Sequence, residues 1–237
     1  MMYETKREII DWLLEENNPP VKYLTLIKLL GSTESSSEAI EILGKIMTYK
    51  PIVEIMQNQK EKTFWFSKAK DKNYKKYLGT LWQLLFLSEM YAQKNEQIAN
   101  ACEHLFSTGQ APRGGFSITG TNSGMIMCLT ANMLRALIHF GYLEDDSTNK
   151  ALEYILNNVK EDIIFIPCQM ISLLTNCYMA IPKILFALTL IHKEKRTPKV
   201  KKGIDICVKT LLSNQIYKYL PEKNKQWTYY IAWRSFK

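Results

Sequence analysis

Three cysteines, Cys128, Cys168 and Cys177, are the residues whose type and placement could most readily do chemistry. Each stands at or near the start of a long apolar segment. If those segments are helices gathered side by side, their first turns share one rim and the thiols converge although far apart in sequence. Three thiolates suit zinc. The plainer account is that cysteine is a small, often buried apolar residue. Asn132, Met133, Arg135 and Tyr178 lie in the same apolar segments, and Trp82 and Phe86 in a third of the same kind. They would line a pocket for a hydrophobic small molecule, the aromatic faces also attracting a cation. Core packing accounts for the same aromatics. His104, His139 and His192 are scattered, and none pairs with a cysteine or carboxylate at catalytic spacing. Arg113-Gly-Gly115 lacks the flanking strand and helix of a phosphate loop. Glu144-Asp145-Asp146 falls in a turn, where nothing would hold a carboxyl protonated as a strong general acid must be.

The chain of 237 residues, 46% of them hydrophobic, can bury a large core, and continuous repeats favour one domain over residues 1–237. Its formal charge of +8 comes mostly from lysines in Lys60 to Lys76 and Lys193 to Lys202. Such a surplus can attract nucleic acid or anionic lipid, but a solvated lysine-rich surface is the preferred reading. Five cysteines, an odd count, do not suggest a disulfide framework. The first residues, Met1 to Glu8, lack a signal-like apolar block, so a cytoplasmic protein is expected. Met170 to Ile191 is long enough to cross a bilayer. Lys183 beside Pro182, with Ser172, Thr175, Asn176 and Thr189, argues instead for a buried helix.

What must position these residues is a set of helices that recurs every fifty residues. Thr80 and Leu84 are followed by Thr130 and Leu134, then by Ala180 and Ile184. Each copy, near 77–92, 124–140 and 170–191, is apolar around most of its circumference and so must be enclosed. Each precedes a one-sided helix, near 95–108, 148–160 and 198–213, with stripes such as Leu152, Ile155, Leu156 and Val159. Helices near 3–16 and 21–30, then those carrying Ile40 to Met47 and Ile52 to Met56, come before them. Ile163 to Ile166 is the one weak strand candidate. Enclosed helices inside and striped ones outside satisfy both patterns, as hairpins in two concentric layers that curve towards a ring.

After the striped helices come amide residues and then an aromatic: Gln59 to Trp65, Gln110-Ala-Pro-Arg-Gly-Gly-Phe116, Asn157-Asn158 before Phe165, and Asn214-Gln215 before Trp227. Gln110 to Phe116 resembles the QW repeat best; Gln59 to Trp65 keeps its ends without the glycine. With the helix copies, the chain resembles the terpenoid cyclase and protein prenyltransferase superfamily, and within it squalene-cyclase-like proteins with prenyltransferase repeats. The resemblance implies an all-α fold, an α/α toroid, with Gln59 and Gln110 bridging helix ends and Trp65 and Phe116 packing on the next repeat. It also implies an isoprenoid or similar lipid as ligand, or prenyltransferase- or cyclase-like activity. The departures weigh against catalysis. Glu144-Asp145-Asp146 is not the Asp-x-Asp-Asp acid motif, and Asp205-Ile-Cys207 matches a zinc-binding pair with no later histidine.

Two other functions fit the pattern. Asn18-Pro-Pro-Val-Lys-Tyr23 also resembles the start of a HEAT-type repeat, which would make the chain a protein-binding scaffold. Nucleic-acid binding through the lysine-rich edges ranks below it. The segment Trp227 to Trp233 would leave the ring open or close it through a homodimer.

Overall fold

A computed structural model describes residues 2–66, 73–159, 166–168, 172–177 and 179–213. The helices are α1 (Met2–Leu13), α2 (Pro19–Leu24), α3 (Ser37–Ile46), α4 (Lys50–Gln57), α5 (Thr80–Glu89), α6 (Glu96–Thr108), α7 (Met127–His139), α8 (Asp146–Asn158), α9 (Ala180–Leu190) and α10 (Pro198–Ser213). A wide π-type turn, Thr25–Leu29, prolongs α2. Starts and stops follow local chemistry. Asn18, Ser36, Asn95 and Asp145 each accept a backbone N–H of the first turn they precede, at 3.4, 3.3, 3.0 and 2.8 Å. Prolines open α2, α4 and α10, where a missing amide costs nothing. The last turn of α7 is closed by Tyr142 N–H donating to Leu137 O at 2.9 Å, with Gly141 at φ +81°. The last turn of α5 repeats that bond from Ala92 to Leu87 O, but the left-handed residue is Tyr91, at φ +60°.

Among the described residues the fold is all-helical apart from a short antiparallel pair, β1 (Pro167–Cys168) with β2 (Ser172–Asn176). This corrects the helix expected over 170–191, which runs only from Ala180 to Leu190. Thr175 and Asn176 are poor helix formers, and the segment Ser172–Asn176 that ends on them pairs as a strand. The strand candidate at 163–166 lies outside the described residues except for Ile166, as do Phe165, Tyr178 and the segment 214–237 with Trp227 and Trp233.

The fifty-residue alternation holds. Leu84, Leu134 and Ile184 are all buried, and α5, α7 and α9 are covered over most of their surface. Helices α6, α8 and α10 bury one stripe each, such as Ile98, Ala101, Cys102 and Leu105 on α6. Helix α7 packs against both α5 and α9, while α6 lies on α5, α8 on α7 and α10 on α9. Leu129, Met133, Ala136 and Leu137 of α7 join a core that reaches back to Tyr23 of α2. Met127, Ala131 and Leu134 join a second core shared with α8, α9 and α10. Helix α7 is therefore the common wall of two cores. Among the described residues, no helix is long and apolar enough to cross a membrane.

Candidate functional site

The expected glutamine and aromatic positions are hydrogen-bonded joints between repeats. Gln59, just past α4, donates its side-chain N–H to Gln97 O, the second residue of α6, at 2.9 Å. Gln110, just past α6, donates to Ser147 O, the second residue of α8, at 2.7 Å, and to Gly114 O at 2.8 Å. Gly114, at φ +94°, lies so close to α8 that a Cβ there would stand 2.5 Å from Lys150 O. Glycine is what lets the loop rest on that helix.

Each aromatic is then tied to the next enclosed helix. Trp65 N–H donates to Thr80 Oγ1 at 3.1 Å, and Phe116 N–H to Thr130 Oγ1 at 2.9 Å. Trp65 also donates its indole N–H to Ile55 O at 2.6 Å. The recurrent threonine is thus a staple for a buried amide, a role its spacing alone did not reveal. At the third joint the residue at this distance from Ala180 is Ile166, buried at 3% exposure. Asn157 and Asn158 do not act as the bridging amide there. Asn158 folds back on Tyr154 O of its own helix, and Asn157 accepts from Lys199.

Each enclosed helix leaves one stripe less covered than the rest: Trp82, Phe86 and Glu89 on α5, Cys128, Arg135 and His139 on α7, and Lys183, Phe186 and Leu190 on α9. Arg135 joins the three. Its guanidinium pairs with Glu89 and lies 4.7 Å from the centre of the Phe186 ring. Trp82 stands 6.1 Å from Phe86, and Tyr77 lies across both, 5.1 Å from Trp82 and 6.4 Å from Phe86. Tyr77 adopts φ +64°, a left-handed conformation costly for a non-glycine residue, and its carbonyl is held by the Gln83 amide at 2.7 Å. Of the expected pocket residues, Trp82, Phe86 and Arg135 are on this face. Met133 is fully enclosed in the first core and Asn132 almost so, because the pattern marked them as part of an apolar helix without saying which way they turn. Tyr178 is outside the described residues.

At the N-terminal end of the same face, two of the three expected thiols belong to the second core: Cys177 is buried in it and Cys128 packs against it. Cys128 is in the first turn of α7, and Cys177 lies between β2 and α9. The Cys128 thiol is held below its ordinary pKa, first of all by hydrogen bonding from Cys177. Burial opposes this, while Lys183 of α9 and the amides of Cys128 and Leu129 assist it. Burial raises the Tyr74 phenol, and the charges of Cys128 and Tyr77 add to that. Trp82 donates its indole N–H to Tyr74 O at 3.1 Å. Cys168 is in β1, its side chain outside the described residues. Among the described residues, no group of three or more histidine, cysteine, aspartate or glutamate side chains could hold a metal. Cys102 and Cys207 differ in kind; burial pushes both thiols up to about 12.

The remaining sequence candidates have structural places. Asp145 caps α8, and Cys207 is buried on α10 with Asp205 on its exposed side. His139 contacts Ala92 O at 2.9 Å, and burial, with Arg135 adding to it, lowers its pKa. On the lysine-rich edge, Lys195 and Lys199 pair with Glu144 and Glu153. A cavity of about 230 Å³ lies away from the aromatic face, lined by Met47, Val53, Met56, Gln57, Asn95 and Gln97.

Sequence reasoning missed Tyr74, Tyr77, Glu89, Lys183 and Phe186. Phe186 had a signal: it stands two repeat lengths from Phe86. Tyr77 had none, since its importance lies in a backbone angle. No family profile matches the chain, and no curated protein or solved structure matches it.

Proposed function

We propose that the chain is a curved row of helical hairpins of the α/α-toroid kind, and that its concave face binds an elongated apolar molecule such as an isoprenoid. The observation that carries this reading is the stripe itself. Helices otherwise buried leave a line of aromatics, Trp82 and Phe86 half-buried and Phe186 exposed, with one half-buried arginine among them. Three further features support the layered arrangement: the row α5, α7, α9, the half-exposed helices behind it, and the glutamine bridges between successive half-exposed helices. Trp82, Phe86 and Phe186 would take the hydrocarbon and Arg135 an anionic or polar head. The reading assigns binding and leaves any reaction unassigned.

The test is equilibrium binding of a C15 or C20 prenyl diphosphate and its alcohol, followed by Trp82 fluorescence. Saturable binding is expected, weakened about tenfold, or about 1.4 kcal/mol, by Phe86→Ala. Arg135→Gln should weaken the diphosphate more than the alcohol. No saturable binding of either probe would overturn the reading. A second reading, a HEAT-like scaffold, is favoured by Phe186 and Leu190, exposed at 49% and 39% one turn apart. It predicts that a partner's amphipathic helix, and not a prenyl chain, protects Trp82 from quenching.

A further inference from the structure

Trp82, Phe86 and Glu89 follow one another at helical spacing on the least covered stripe of α5. A hydrocarbon lying along the two rings therefore brings its end to the Glu89 carboxylate. That carboxylate is already engaged. It pairs with Arg135 of α7, whose guanidinium also lies 4.7 Å from the centre of the Phe186 ring of α9. The Arg135 side chain is 14% exposed and that of Glu89 35%, so the cation is enclosed and the carboxylate stands on the open side. Arg135 and Glu89 together carry no net formal charge. His139, one turn further along α7, contacts Ala92 O at 2.9 Å, and burial lowers its pKa, so its ring adds no charge near neutral pH. The other cation of this face is Lys183, three residues before Phe186 on α9.

A diphosphate and a hydroxyl meet this pair differently. For a diphosphate to reach Arg135, either Glu89 stays and like charges are pressed together, or Glu89 leaves and one ion pair is merely exchanged for another. A hydroxyl gives up nothing: its O–H donates to a Glu89 oxygen, and its oxygen accepts from the guanidinium. We propose, resting on the binding reading above, that this face selects an uncharged head, so that its ligand is a long-chain alcohol and not a diphosphate ester, with Glu89 as the residue that sets the choice. Arg135 then serves as a hydrogen-bond donor held in place by Glu89 and Phe186, and the rings of Trp82 and Phe86 take the chain.

The full chain is titrated at one ionic strength with a C15 prenyl alcohol and with the C15 diphosphate. Wild-type protein is expected to bind the alcohol more tightly by about tenfold or more. Glu89→Gln keeps the shape of the side chain and removes its charge. It should tighten the diphosphate about tenfold and change the alcohol by less than about threefold, which closes or inverts the preference. The wild-type preference needs no variant to fold, and thermal unfolding checks the variant. Tighter wild-type binding of the diphosphate overturns the proposal and leaves the binding reading standing, as does an unchanged ratio of affinities in Glu89→Gln. A wild-type preference for the diphosphate that disappears in Lys183→Met also overturns it, by seating the head at Lys183. Binding of neither probe is a different failure, since it overturns the binding reading itself and the proposal with it.

Discussion

The joint at Gln110, Phe116 and Thr130 and the joint at Ile166 and Ala180 occupy the same place in successive repeats, yet they are built differently. In the earlier one, a side-chain amide bridges two half-exposed helices, and a threonine hydroxyl receives the buried N–H of the aromatic residue. In the later one, isoleucine replaces the aromatic and alanine the threonine. Here main chain meets main chain, Cys177 N–H donating to Ile166 O at 2.6 Å. The repeat is held by side-chain hydrogen bonds at the second joint, while at the third an enclosed alanine stands where the threonine hydroxyl would be.

The comparison is tested most severely by removing the rings. Trp65→Ala, at a residue 3% exposed that also holds Ile55 O through its indole, is expected to destabilise the fold by about 3–5 kcal/mol. Phe116→Ala should fall in the same range. Ile166→Ala deletes less volume and no polar contact, and urea unfolding should place it below both. Equal losses at Phe116 and Ile166 would erase the distinction between the joints.

The hydroxyl is the next lever. Thr130→Val keeps the shape of the side chain but leaves the Phe116 N–H buried without its acceptor, at a cost of about 1–3 kcal/mol. Putting the repeat residue back at the third joint, Ala180→Thr, should not stabilise. Ala180 is fully enclosed, and the added atoms are expected to cost about 1–3 kcal/mol in thermal unfolding. A gain in stability there would mean that the third joint is merely a degraded copy of the second.

The helical part of this architecture was legible because periodicity reports burial directly. Leu84, Leu134 and Ile184 are a repeat in sequence and a buried row in space. The stretch 170–191 was misread because its apolar residues continue into α9 without a break, and the strand pairing of Ser172–Asn176 with Pro167–Cys168 is a tertiary choice that local pattern does not encode. At the site, sequence found the aromatics and the thiols but not their direction. Asn132 and Arg135 share a helix, yet one turns into the protein and the other bridges three helices. That difference is fixed by neighbours from other repeats.

The smallest effect separates the two glutamine joints from each other. Gln110 donates to two carbonyls, and Gln59 to one, while Gln59 Oε1 is buried with no partner among the described residues. An amide that satisfies only half of its capacity gives back in desolvation part of what its one bond contributes. Gln110→Ala is therefore expected to cost about 1–2 kcal/mol and Gln59→Ala about 0.5–1 kcal/mol, measured as shifts in the urea midpoint at constant slope. Reversal of that order would mean that Gln59 Oε1 meets an ordered water. The first joint would then be as fully bonded as the second, leaving the third as the sole departure from the repeat.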